Sequence, residues 1–494
     1  MTTIGNSDIT YEDVVRVSRL EKVSLGKTAI QKVQNTRKLL EKSLTDKSVI
    51  YGVTTGFGAF KNTAIDSDNL KKLQENLILS HAVGVGDPFS PEISRGMMFI
   101  IANYLSKGYS GARTLVIQTL IEMLNKNVVP VIPQKGSVGS SGDLAPSAHL
   151  VLVMLGKGEA YYKGKKMKGE KAMKLAKIKP IILEAKEGLA LINNTSAMCS
   201  VGSQALFQSK RLLEIADLSA SLSTEALRGT TKAFDARIHS IKPHNGQVAV
   251  AQNLRKTLKG STMIDNTKVQ DQYSLRCIPQ IHGAVRETFS HVEKVINTEL
   301  NSVTDNPLIF TENGKLEVIS GGNFHGEPVA MVMDFLAIAI SELANISDRR
   351  IASLLDPATN NGLPAFLTED GGVNSGMMIL QYTTAALASE NKILAHPASV
   401  DSIPTSANIE DLVSMGTIAA RKCLEICKNV EHVLTIEALV SCQAIDFRLK
   451  EGYKLGAETE RIFKRIRKVV PFFKVDATYS LYFDKIKSVL EIYS

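Results

Sequence analysis

Several absences narrow the class of this 494-residue chain before any motif is read. Cysteine is scarce: five residues, an odd number and widely dispersed, exclude a disulfide framework and point to a reducing compartment, the cytoplasm. No Met-Arg/Lys-apolar leader is present, so a secretory signal is not expected. The longest apolar stretch, 329–346, is interrupted by Asp334 and Glu342 and reads as a buried helix, not a membrane span. GxGxxG spacing and a Walker-type Lys-Ser/Thr pair are both missing. Internal repeats, low-complexity linkers and sustained βαβ alternation are missing too. The net charge is +8, but the basic clusters at 163–179 and 461–474 have no nucleic-acid module beside them and read as solvated faces. Cys423 and Cys427 lie four apart on a predicted helix. No His or Cys pair completes a metal site, so both read as small core residues.

What is present suits a large soluble globular protein. Hydrophobic residues make up 44% and charged residues 22%, and the length allows a large core with more than one region. Apolar residues recur at three and four over 197–227, 285–301, 326–355, 374–393 and 411–442. Helices of that length predict a mainly α fold, a long-helix bundle over 197–494. A smaller N-terminal region, 1–196, precedes it. Its helical patterns run to about residue 48, over 68–84 and 94–125, and from Pro146 to Leu155, with a small hairpin near Tyr161–Lys165.

The chain is organised around Gly136-Ser137-Val138-Gly139-Ser140-Ser141-Gly142-Asp143-Leu144-Ala145-Pro146. A Gly/Ser run is ordinarily a loop. This one also has the composition for a backbone cyclisation. The Gly142 nitrogen can attack the Ser140 carbonyl carbon only in a tightly bent loop, and glycine permits that bend. Loss of that oxygen as water, and of the Ser141 hydroxyl as a second water, leaves a methylidene conjugated to an imidazolone. No ordinary side chain is such an electrophile.

Other polar islands are scattered. Tyr51, in a glycine-rich run, is either a structural tyrosine or a phenol placed to take a proton. His81 ends a helical pattern, where a structural role is the commoner one. Asn193 ends an apolar run and reads as structural or as a ligand donor. Gln270, Tyr273 and Arg276 share a polar turn that suits a carboxylate or the surface equally. Phe324 lies in a glycine-rich helix entry, and Glu410 with Asp411 stands at the predicted start of the last long helix.

These islands fall in the order and at the intervals of motifs in the histidine and aromatic amino-acid ammonia-lyases. GSVGSSGDLAP, QDQYSLR, SVTDNP, SGGNFHGEP and LAHPAS together resemble that family from about Val49 to Arg448. The resemblance implies an ammonia-lyase/fumarase-like fold. It also implies a 4-methylidene-imidazol-5-one (MIO) group formed from Ser140-Ser141-Gly142, with Ser140 where Ala is usual and no metal. Ser80-His81 and Glu410 are similar to the histidine enzymes, whose reaction is elimination of ammonia from L-histidine to trans-urocanate. Ile409 and Leu412 stand where those enzymes usually carry Gln and His. Tyrosine or phenylalanine lyase and aminomutase activities use the same electrophile, and a scaffold with an unclosed loop is the non-enzymatic alternative. Carried over by motif, Tyr51 or Glu410 is catalytic. His81 contacts the imidazole, Asn193 and Tyr273 orient amine and ring carbonyl, and Arg276 binds the carboxylate. Gln270 supports the loop or substrate, and Phe324 packs beside the ring. The resemblance further implies a homotetramer with shared active sites, a small amino-acid substrate, and neither nucleic acid nor membrane as partner.

Overall fold

The structure is a computed structural model that describes residues 1–45, 69–312 and 315–493. Tyr51 lies outside the described residues. The described chain is mainly helical, with short strands in four small sheets. Helices Ser196–Ala226, Ile278–Leu300, Glu327–Leu355, Met378–Leu394 and Gly416–Lys450 realise the five long periodic segments. Three depart from the expected boundaries. Ile278–Leu300 begins earlier than 285, directly after the short helix Tyr273–Arg276. Met378–Leu394 begins a turn later than 374. The last starts at Gly416, so Glu410 and Asp411 do not lie in its first turn. Thr405 and Glu410 instead pair as an antiparallel bridge across Ser406, Ala407 and Asn408, all left-handed (φ 52°, 54° and 64°). A helix-start preference is worth only about 0.3–1 kcal/mol for an acidic residue, less than the bonds that fix this turn.

Two compact units divide the chain. The first comprises Met1–Phe207, Glu293–Asp334 and Pro397–Arg421; the second comprises Gln208–Val292, Phe335–His396 and Lys422–Ser494.

In the first unit the central helix is Pro91–Ser106, buried from Ile93 to Ser106. Ser90 Oγ accepts the Ile93 amide and Pro91 takes the position where a missing N–H costs nothing. This helix packs against Tyr11–Ser18 and Thr114–Lys126. Helix Leu144–Met154 packs against Leu70–His81 and Glu187–Ile192, which fixes what stands at its N-terminus. A hairpin, Leu308–Glu312 with Lys315–Ile319, was not expected from the sequence. Its Ile309 is buried with Leu40 and Ala185. Lys186 and Asp305, both fully buried, form an ion pair at 2.6 Å, as charges removed from water require.

The second unit holds its buried charges in the same way. Glu437 accepts from Arg350 Nε at 2.5 Å and Nη2 at 3.0 Å, and from Ser223 and Ser347 hydroxyls at 2.6 Å each. Cys423, Cys427 and Cys442 are fully buried, as the core reading of the first two expected. Helix Ala457–Val469 buries Ile462, Phe463 and Ile466 and exposes Arg461, Lys464 and Lys468, so that basic cluster is a solvated face.

Among the described residues one helix, Glu327–Leu355, is long and apolar enough to cross a membrane, and 72% of its most apolar window is buried within the protein.

Candidate active site

The loop 136–143 ends at the N-terminus of helix Leu144–Met154. Two of its glycines are required by space as well as by backbone. Gly142 has φ +74°, and a Cβ there would come within 2.2 Å of the Asn194 carbonyl oxygen. Gly139 has φ +71°, and a Cβ there would meet Ser414 Oγ at 2.3 Å. The loop is clamped from three directions within the first unit. The Asp143 amide donates to Asn194 O at 2.6 Å, and the Met415 amide to Val138 O at 2.8 Å. Gly139 O accepts from Ser414 Oγ at 3.0 Å and from the Gly326 amide at 3.3 Å.

Asp143 is the internal fastener of this loop. Fully buried, its Oδ1 accepts from Ser137 Oγ at 2.8 Å and from Thr417 Oγ1, and its Oδ2 from the Met198 amide at 2.9 Å. Burial raises its pKa above the usual carboxylate value, and these donors offset part of the rise. Sequence reasoning singled out none of Ser137, Asp143, Ser414 and Thr417 as functional. The available signal was the placement of an Asp directly after the triad. Its partners lie far along the chain and carry no local pattern.

A cavity of about 340 Å³ opens on the triad, within the usual range for small-molecule sites. His81, Val138, Ser140, Gly142, Thr405 and Glu410 are among the residues that line it. The half-buried Glu410 carboxylate touches both serines of the triad: Oε2 accepts from Ser140 Oγ, and Oε1 from Ser141 Oγ at 3.0 Å. Asn193 Nδ2 donates to the Ser141 carbonyl oxygen at 2.7 Å. Ser80 Oγ lies 3.1 Å from Leu77 O and 3.0 Å from His81 Nδ1, within hydrogen-bond reach of both. Burial lowers the His81 pKa, an effect that the Leu77 carbonyl and the negative Glu410 only partly counter, so this imidazole is neutral at pH 7.

The remaining expected site residues are not among those that line this cavity. Phe324 is half-buried on a turn of the first unit and does not line this cavity; its neighbour His325 contacts Leu412 O at 3.2 Å. Gln270, Tyr273 and Arg276 belong to the second unit and form their own cluster. Arg276 Nη1 donates to Gln270 Oε1 at 2.5 Å, and its guanidinium stacks 4.7 Å from the exposed Tyr273 ring. Asp271 anchors that segment by accepting the Thr230 amide at 2.5 Å. Among the described residues no group of three or more His, Cys, Asp or Glu is placed to hold a metal ion.

Residues 140–142 fit the MIO group on steric and chemical grounds. The bend falls at a position only glycine can occupy, and Asn193 binds the Ser141 carbonyl oxygen, which would become the ring carbonyl.

Known proteins share this architecture. The family model described as aromatic amino acid lyase matches residues 9–468. Histidine ammonia-lyase from Caldanaerobacter subterraneus subsp. tengcongensis is 54% identical over 471 residues, which is 94% of this chain and 92% of that one. Among solved structures, histidine ammonia-lyase from Trypanosoma cruzi is 39% identical with a TM-score of 0.92, covering 99% of this chain and 93% of that one. Phenylalanine aminomutase from Pantoea agglomerans is 36% identical with a TM-score of 0.95, covering 99% of each. The backbone alone therefore does not separate these activities; the side chains around the triad must. With the family match spanning most of its length and a relative above half identity, the chain belongs to the aromatic amino acid lyase family.

Proposed function

We propose that this protein catalyses the non-oxidative elimination of ammonia from L-histidine, giving trans-urocanate, at a site built on Ser140-Ser141-Gly142. The observation that carries this reading is the pairing of His81 with Glu410 in the cavity that opens on the triad. An imidazole substrate has two nitrogens that need polar partners, and these two side chains supply them. A phenyl ring would leave both unpaired, at a cost of about 1–3 kcal/mol each. The 54% identity to a histidine ammonia-lyase supports the same substrate.

When closed, the MIO ring supplies an electrophilic carbon that makes the substrate's α-amino nitrogen a better leaving group. The surrounding side chains divide the remaining work. Asn193 polarises the Ser141 carbonyl, and Tyr273 helps orient the amine. Arg276, held by Gln270 and stacked on Tyr273, is a preorganised receptor for the α-carboxylate. Tyr51 takes the β-proton, with Glu410 the second candidate for that role. Phe324 supports the ring side of the site.

The protein acts in the cytoplasm as a homotetramer. Five dispersed cysteines, with no disulfide among the described residues, suit the reducing compartment. In the second unit an apolar groove of about 720 Å³, lined by Ile281, Val285, Phe335 and Ile338, leaves Phe335 and Ile338 exposed, as a face covered by another copy would be.

Incubation of the purified protein with L-histidine, L-tyrosine and L-phenylalanine, following the conjugated acid by absorbance, tests the substrate. Urocanate is expected to form at least about a hundredfold faster than coumarate or cinnamate, the discrimination available when buried polar groups go unpaired. Equal or slower urocanate formation would contradict the assignment to histidine.

A further inference from the structure

We infer that Ser140 is a positioning residue in the mature site: its hydroxyl anchors one oxygen of Glu410 after the Ser141 hydroxyl has gone. This rests on the proposal that residues 140–142 cyclise. In that reaction the Gly142 nitrogen bonds to the Ser140 carbonyl carbon, whose oxygen departs as water with the Gly142 and Ser141 amide protons. The Ser141 Cα proton and its side-chain hydroxyl group depart as the second water. The Ser140 side chain takes no part in either loss.

The consequence for Glu410 follows from its contacts. Before closure the carboxylate is held at both ends, by Ser140 on Oε2 and by Ser141 on Oε1 at 3.0 Å. Closure removes the second donor and leaves Oε1 for the substrate. Oε2 keeps Ser140, with Thr405 Oγ1 at 3.3 Å as a weaker neighbour. The Glu410 backbone is already fixed by reciprocal bonds to Thr405, its N–H donating at 3.2 Å and its carbonyl accepting at 2.8 Å. Rotation about the side-chain bonds is therefore the freedom left to control, and the Ser140 hydroxyl controls it. Ser140 is buried, so water does not readily substitute for it. Alanine, the residue the resembled family usually carries here, cannot provide this bond. The serine thus adds to the grip on an imidazole nitrogen at the position where the family's electrophile begins. Of the described residues lining the cavity, His81 is the other titratable group, and Asp143 is buried behind the loop.

The test compares Ser140→Ala with the unaltered protein, alone and combined with Glu410→Ala. Three readouts are taken: intact mass, KM and kcat for L-histidine, and calorimetric binding of trans-urocanate, which needs no turnover. The Ser140→Ala protein is expected to be lighter than its encoded chain by two waters. Its KM and urocanate dissociation constant are expected to rise roughly tenfold, the size of a lost hydrogen bond to a charged group, with kcat changing much less. In the Glu410→Ala background, removing the Ser140 hydroxyl is expected to weaken urocanate binding no further. Unchanged KM and binding in Ser140→Ala would overturn the inference. So would equal weakening in both backgrounds, or a Ser140→Ala chain that keeps its waters, since Ser140 would then act in closure. An unaltered protein that keeps both waters, or makes no urocanate, would instead refute the proposed function itself.

Discussion

Ser141→Ala is expected to abolish ammonia release while leaving the protein folded. Alanine has no hydroxyl to lose, so no methylidene can form at this position. Without an electrophile the amine remains a poor leaving group, and activity is expected to fall at least about a thousandfold, some 4 kcal/mol of barrier. The structural cost is small. Before closure Ser141 Oγ makes one hydrogen bond, to Glu410 at 3.0 Å, at a half-buried position, worth about 1 kcal/mol, and closure removes it from the unaltered protein too. Circular dichroism and the thermal midpoint should therefore stay close to those of the unaltered protein, and its mass should show no loss of two waters. A Ser141→Ala variant with full activity would remove the basis for the proposed chemistry.

Asp143→Ala is expected to lower stability and maturation together. It deletes a fully buried carboxylate that satisfies two hydroxyls and the Met198 amide. The hydroxyls of Ser137 and Thr417 can rotate toward other acceptors, but the amide of Met198 cannot. An unpaired buried donor and a new cavity together cost about 3 kcal/mol or more, a large fraction of typical domain stability. The loop would also lose its fastening to helices Ser196–Ala226 and Gly416–Lys450, which keeps Gly142 bent against Asn194. A lower thermal midpoint is expected together with a large fall in the fraction of chains that have shed two waters. Asp143→Asn should retain part of both, because its carbonyl oxygen still accepts while its amide group faces a donor. Thermal melts and intact masses of the two variants check this. An alanine variant equal to the unaltered protein in both would show that Asp143 is dispensable.

The legibility of the molecule followed the range of its interactions. Long helices were readable because apolar spacing is local, and the triad was readable because cyclisation needs three consecutive residues. His81 and Glu410 could be named from motifs, but their sharing of one cavity with Ser140 depends on a turn with three left-handed residues, none of them glycine. Nothing in Ser406-Ala407-Asn408 advertises that conformation. The same turn explains why Glu410 was expected at a helix start and instead faces the triad. Asp143 was visible as a letter but not as a role, since Thr417 and Met198 lie 274 and 55 residues away. The hairpin of Leu308–Glu312 with Lys315–Ile319 escaped because its strands are short and, among its described residues, only Ile309 is deeply buried.

Intact mass spectrometry of the purified, unaltered protein tests the cyclisation most directly. The expected mass is that of the encoded chain less two water molecules, with the deficit confined to the proteolytic fragment that contains Ser140, Ser141 and Gly142. A full, undiminished mass in protein that nonetheless releases ammonia from L-histidine would contradict it.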